Sequence, residues 1–149
     1  MRSLRLLLEA VFPLLVVTGT AFADNPSDIL VIANNSTPVS RLTVGEAQEI
    51  FLKERTHWGS SDKAVPINAP EGSALRNDFR IRALQMKVSD EQQYWEQRKI
   101  KSGVTPPPEF ANVLKAVFKL RGSVGYIYRS QYKPGLAKIL LVLPATKLH

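Results

Sequence analysis

One junction constrains this chain more than any other stretch: Val65 to Arg76, V-P-I-N-A-P-E-G-S-A-L-R. The short apolar run Val65-Pro66-Ile67 predicts a strand. Asn68-Ala69-Pro70-Glu71-Gly72 breaks it, with Pro and Gly punctuating a loop. Leu75, Phe79, Ala83 and Met86 then recur at helical spacing, which predicts a helix to about Met86. Ser73 stands where that helix begins, and its hydroxyl suits an N-cap that accepts a bond from an amide one turn in. Such a junction turns free N–H groups and the positive end of the helix dipole towards one spot, chemistry that suits an anion or a small polar ligand. Arg76 and Arg80, on one side of the helix, add formal charge near its first turn. The alternative is a well-capped surface helix with solvated arginines, since capped helix starts occur in almost every domain.

The N-terminal segment reads as a leader rather than as part of the fold. Arg2 and Arg5 precede an apolar run from Leu6 to Val17, and Ala21-Phe22-Ala23 is a small-x-small cleavage signal. The run is shorter than the roughly 20 apolar residues that span a bilayer. Residues 1–23 are therefore expected to be a signal peptide, and export follows. Cleavage after Ala23 leaves 126 of the 149 residues, Asp24 to His149, the size of one domain.

Charge and residue types narrow the chemistry. The formal charge of +7 falls to +6 once the leader's two arginines and one glutamate are removed. A basic exported protein meets anionic ligands, anionic lipid or cell-wall polymers, and the same charge also serves solubility. Nucleic acid is not an expected partner, because no basic, aromatic stripe is present. The chain has no cysteine, which excludes thiol catalysis and cysteine zinc sites. Its two histidines, His57 and the terminal His149, do not make a metal site, so no metal or cofactor is expected. Glu46, Glu49 and Glu71 form no acid/base pair by spacing, and Ser73 has no nearby histidine to activate it. The chain does not read as an enzyme.

Taken in order, the mature sequence alternates. Asp28 to Ala33 is a continuous apolar run of the kind covered on both faces in an α/β sheet. Asn34 to Pro38 makes a polar loop. Thr43-Val44-Gly45-Glu46 has the form of a capping box and predicts a helix from Val44 to about Lys53. Trp58 is expected to anchor the polar loop around it against the core. After the central junction, Ser89-Asp90-Glu91-Gln92 is a second capping-box match, starting a helix through Tyr94 and Trp95 to about Lys99. Pro106-Pro107-Pro108 is a stiff connector. Phe110, Val113, Leu114, Val117 and Phe118 define one apolar helix face, with Gly122 as its stop. Val124 to Tyr128 and Ile139 to Leu143 are strands, and Gly125 permits close approach of a backbone or a ligand. The order strand, helix, strand, three helices, two strands predicts an α/β domain with a mixed sheet flanked by helices.

Three segments together resemble a known family: Ile29–Asn35 with Leu42–Leu52, the Trp58 loop with P-I-N-A-P-E-G-S-A-L-R, and G-S-V-G-Y-I at Gly122–Ile127. The chain resembles small exported phosphate ABC-transporter substrate-binding proteins, related to the type II periplasmic-binding-protein fold. The likeness covers nearly all of Ile29 to Tyr128 and is to the second lobe of the larger binders. It implies a single-lobe domain of that fold, a periplasmic location, and binding without catalysis. The implied partners are phosphate or a similar small anion and the membrane component of an ABC transporter.

By this resemblance, Gly72-Ser73 matches the segment where the larger proteins carry a Ser-Gly-Thr-type loop. Ala74 and Leu75 stand where those proteins have Gly and Thr, and Asn68 and Ala69 stand where they carry an arginine. The expected contacts are Ser73 and the amides of Gly72, Ser73, Ala74 and Leu75, with Arg76 as replacement counter-charge. Ser36, Thr37 and Ser123 are expected along the same edge of the sheet, since α/β sheets bind ligands beyond strand ends. Ordinary turn chemistry explains Ser36 and Thr37 as well. The second candidate is a periplasmic interaction domain that keeps the fold, has lost ligand binding, and contacts another envelope protein.

Overall fold

The computed structural model describes residues 24–59 and 61–145; the expected leader lies outside them. The apolar run at the start of the mature chain becomes β1, Ile29–Ala33, every residue of it fully buried. Continuous burial demands cover on both faces and both edges, and the sheet order β2-β3-β1-β4 supplies the edges. β3 is Ser123–Tyr128 and β4 is Lys138–Leu143, both antiparallel to β1. β2, Val65–Pro66, pairs parallel with β3. Three strands therefore run one way and β1 runs the other, which makes the sheet mixed.

Helices follow their local signals with small shifts. Helix α1, Val44–Phe51, carries the expected capping box: Thr43 Oγ1 accepts from Glu46 N, and Glu46 accepts from Thr43 N, both at 3.1 Å. Helix α2, Ala74–Phe79, begins at the Ser73 cap and continues as a π-helical turn, Arg80–Leu84. The left-handed Gln85 (φ 55°) ends it, so Met86 falls outside. Helix α3, Val88–Ser102, starts one residue before the expected Ser89 cap; Asp90 instead accepts from Lys87 N at 3.4 Å. Helix α4 is Val113–Lys119, capped by Asn112, whose side chain accepts from Lys115 N. Phe110 therefore lies outside the helix. Its amide bonds Asn68 O at 2.9 Å, and Asn68 N bonds Pro108 O at 2.9 Å, so the triple-proline connector lies beside the loop after β2.

The core joins both faces of the sheet. Phe79 stacks on Tyr126 with ring centroids 3.7 Å apart, and Phe51 meets both rings edge-on. Trp58 is buried, and its indole N–H donates to Gly122 O at 2.9 Å, the anchoring its position in a polar loop suggested. Gly125 serves helix packing: a Cβ there would sit 2.5 Å from Val113 Cγ1 and 3.1 Å from Val117 Cγ2. Helix α4 uses the close approach that the sequence left open to a backbone or a ligand. Gly125→Ala is expected to cost about 1–3 kcal/mol by overpacking, read as a lower urea midpoint. An unchanged midpoint would show that α4 moves away without penalty.

Candidate functional site

The N-terminus of α2 forms as the sequence predicts. Gly72 takes φ +82°, a left-handed conformation that glycine adopts without strain. Ser73 is extended, its Oγ accepting from Arg76 N at 3.2 Å and donating to Pro70 O at 2.7 Å. The remaining first-turn amides, Ala74 and Leu75, have no hydrogen-bond partner among the described residues. Asn68 and Ala69 serve the core: Tyr126 Oη donates to Asn68 Oδ1 at 3.0 Å and accepts from Ala69 N at 3.1 Å.

Arg76 and Arg80 are not solvated; their exposures are 5% and 2%. Buried guanidinium groups require partners, and these come from another helix. The Glu91 carboxylate, itself 4% exposed, takes Arg76 Nη2 at 2.8 Å and Arg80 Nε at 2.5 Å. Glu71 bridges the same pair, at 3.3 Å from Arg76 and 2.7 Å from Arg80. Glu109 approaches Arg76 at 4.0 Å and also accepts from Glu71 N. Arg76 further donates to Ala69 O at 3.1 Å, and Arg80 to Asn77 Oδ1 at 2.8 Å. Two cations thus face three carboxylates. Arg76 is spoken for, and the replacement counter-charge read from the sequence is balanced within the protein. The sequence shows the two arginines one turn apart and Glu71 just before them, but the buried partner Glu91 lies on α3, and no local spacing marks it.

The expected site residues separate into two groups. Gly72, Ser73, Ala74 and Arg76 lie beyond the C-terminal end of β2. Ser36 and Thr37 follow the end of β1, which runs the opposite way, and Ser123 opens β3 at that same far end. These three do not share an edge with Ser73. Ser36 Oγ donates to Asn34 Oδ1 at 2.6 Å, while Asn34 Nδ2 donates to Val117 O at 2.8 Å. Ser123 Oγ donates to Leu120 O at 2.6 Å and Val117 O at 3.1 Å, closing the C-terminal turn of α4. Thr37 is buried with its Oγ1 unpartnered, and its carbonyl accepts from Lys138 Nζ at 2.6 Å. Turn and cap chemistry accounts for Ser36 and Ser123.

Ser73 instead opens onto a groove of about 900 Å³. Leu75, Leu114, Phe118, Ile127 and Leu136 line it, and Lys115, Lys119 and Lys133 project at its rim. No carboxylate lines it. The three lysines make no ion pair among the described residues. Sequence reading missed these cations because they lie on two segments that only the fold brings together. Among the described residues, no cluster of three or more His, Cys, Asp or Glu is placed to hold a metal, and no helix is long and apolar enough to cross a membrane.

The mixed sheet and the helices flanking it define a single α/β domain. No protein-family model matches the sequence, and no curated protein matches it. Two solved structures share the fold at low identity. One is a candidate phosphate ABC transporter substrate-binding protein from Clostridium perfringens, with bound phosphate: TM-score 0.58, 19% identity, over 77% of this chain and 45% of that one. The other is an ABC-type phosphate transport receptor from Vibrio cholerae: TM-score 0.60, 19% identity, over 77% of this chain and 46% of that one. This chain spans under half the length of either.

Two predictions test the charge network. Glu91→Gln removes the carboxylate between two buried guanidiniums and is expected to cost about 3–5 kcal/mol in urea denaturation. The apolar triple swap Arg76→Met/Arg80→Met/Glu91→Leu is expected to recover most of that loss, and a swap as damaging as Glu91→Gln would show that the network is more than an offset of desolvation. Burial raises the Glu71 carboxyl, but the Arg80 hydrogen bond and the charges of Arg76 and Arg80 outweigh burial and hold it below its ordinary 4.5. The folded value is depressed, so its contribution is complete above pH 4.5 and is lost as pH falls through the folded value. Half-exposure of Glu71 keeps the effect small. Melting temperature is expected to drop more steeply below pH 4.5 in the wild type than in Glu71→Gln; parallel curves would remove Glu71 from the account.

Proposed function

We propose that this chain is an exported, non-enzymatic binding module on the lobe fold of phosphate-binding proteins. Its ligand end is the Ser73 start of α2, taking phosphate or a similar small anion in the periplasm for the membrane component of an ABC transporter. The observation that carries this reading is the pair of open amides, Ala74 and Leu75, beside a groove rimmed by three lysines and lined by no carboxylate. Amides at a helix start and flexible ammonium groups are the donors an oxyanion needs. The likeness to phosphate-binding structures supports the same reading at the level of fold. Arg76 has no part in it, and Gly72 serves as the turn that aims the amides.

A second reading is favoured by the size and lining of the groove. At about 900 Å³ the groove is far larger than one oxyanion needs. Phe118 is 48% exposed along it. A protein partner of the cell envelope uses such a surface; phosphate alone leaves most of it wet.

Isothermal calorimetry with phosphate, and sulfate as control, separates the two. The free-anion reading expects saturable phosphate binding that Ser73→Ala weakens at least tenfold by unsettling the helix start. Absence of saturable phosphate binding at millimolar concentration sinks that reading and leaves the partner reading standing.

A further inference from the structure

We propose that the groove between Ser73, α4 and segment 131–136 receives an acidic peptide segment of a partner protein, anchored by apolar side chains. The proposal rests on the second of the two readings above and names the partner's chemistry. Two observations converge on it. The floor is apolar, with Leu114 and Ile127 buried beneath and Phe118 left 48% exposed. An exposed phenylalanine beside buried apolar side chains offers an incoming apolar side chain a place to pack. The rim carries charge of one sign only, Lys115, Lys119 and Lys133.

The distribution of those charges selects among anionic occupants. Lys115 and Lys119 are four apart on α4, so they stand about 5–6 Å apart along one wall. Lys133 belongs to a different wall, on the segment after β3. A single-headed amphiphile concentrates its charge at one end and leaves two of three lysines unpaired. A second copy of this chain sets lysines against lysines. A peptide with Asp or Glu spaced around Phe, Leu or Trp anchors pairs with all three and covers Phe118. Rim ion pairs contribute little affinity each, so the anchors hold the segment while the lysines select it and speed its approach.

Selection from random displayed dodecapeptides on the immobilised protein tests this without a partner being known in advance. Enriched peptides are expected to combine Asp or Glu with apolar anchors. The best of them, synthesised, is expected to bind at least tenfold more weakly to Lys115→Glu/Lys119→Glu/Lys133→Glu and to Phe118→Ser, and to weaken with added sodium chloride. Unchanged circular dichroism and melting temperature in both variants keep loss of fold from imitating loss of binding. Enrichment without acidic bias, or binding that survives charge reversal, overturns the groove assignment while leaving the partner reading intact. No enrichment above an inert control protein overturns both. Saturable binding of dodecanoate without peptide enrichment assigns the groove to a single-headed amphiphile and overturns the proposal. Phosphate calorimetry on Ser73→Ala is independent of every one of these outcomes.

Discussion

The buried carboxylate of Glu91, with Glu71 as a second partner, holds the two guanidiniums of Arg76 and Arg80 inside the protein. Neither arginine can lie at 5% or 2% exposure without it, because an unpaired buried charge costs several kcal/mol, of the order of about 3–5. Glu91 belongs to α3 and the arginines to α2 and its π-helical extension, so the ion cluster ties the two helices together. Arg76 also holds Ala69 O, and Glu71 returns from the loop to both arginines. The loop that aims the Ser73 amides is thereby fixed from its inner side. Position is set by buried charge, and little of that charge is left over for a ligand.

That outcome shifts where ligand chemistry resides. The carboxylates around Arg76 and Arg80 leave the inner face of the junction without a free cation from that pair. On the outer face Ser73 opens onto the lysine-rimmed groove, where Lys115, Lys119 and Lys133 meet no carboxylate. The same helix start is therefore neutralised on one side and electropositive on the other. The likeness to phosphate-binding structures establishes the lobe fold, while the groove, its rim and its exposed phenylalanine are properties of this chain.

Much of the local structure was legible in the sequence. The Thr43 capping box and the Ser73 cap follow from side chains acting within a few residues of themselves, and the Trp58 anchor and the buried β1 from residue types that demand cover. Reading failed where a distant segment competes or where a neighbouring residue caps first. Phe110 fits the apolar spacing of α4, yet its amide is claimed by Asn68 and it stays outside the helix. Ser89 fits a capping box, yet the helix starts at Val88, one residue ahead of it. Gly125 offers space, and α4 fills it.

The sequence by itself determined the alternation of strands and helices, the cap at Ser73 and the absence of thiol chemistry, because these depend on residue type and near neighbours. Tertiary structure alone decided which candidates share a site. β1 runs against β2 and β3, so Ser36, Thr37 and Ser123 lie at the far end of the sheet from Ser73. It also decided that Arg76 is neutralised from α3, and that lysines from two separate segments rim one groove. The physical reason is the same in each case: strand direction and long-range charge pairing follow from how the elements pack, and residue spacing along the chain carries no record of it.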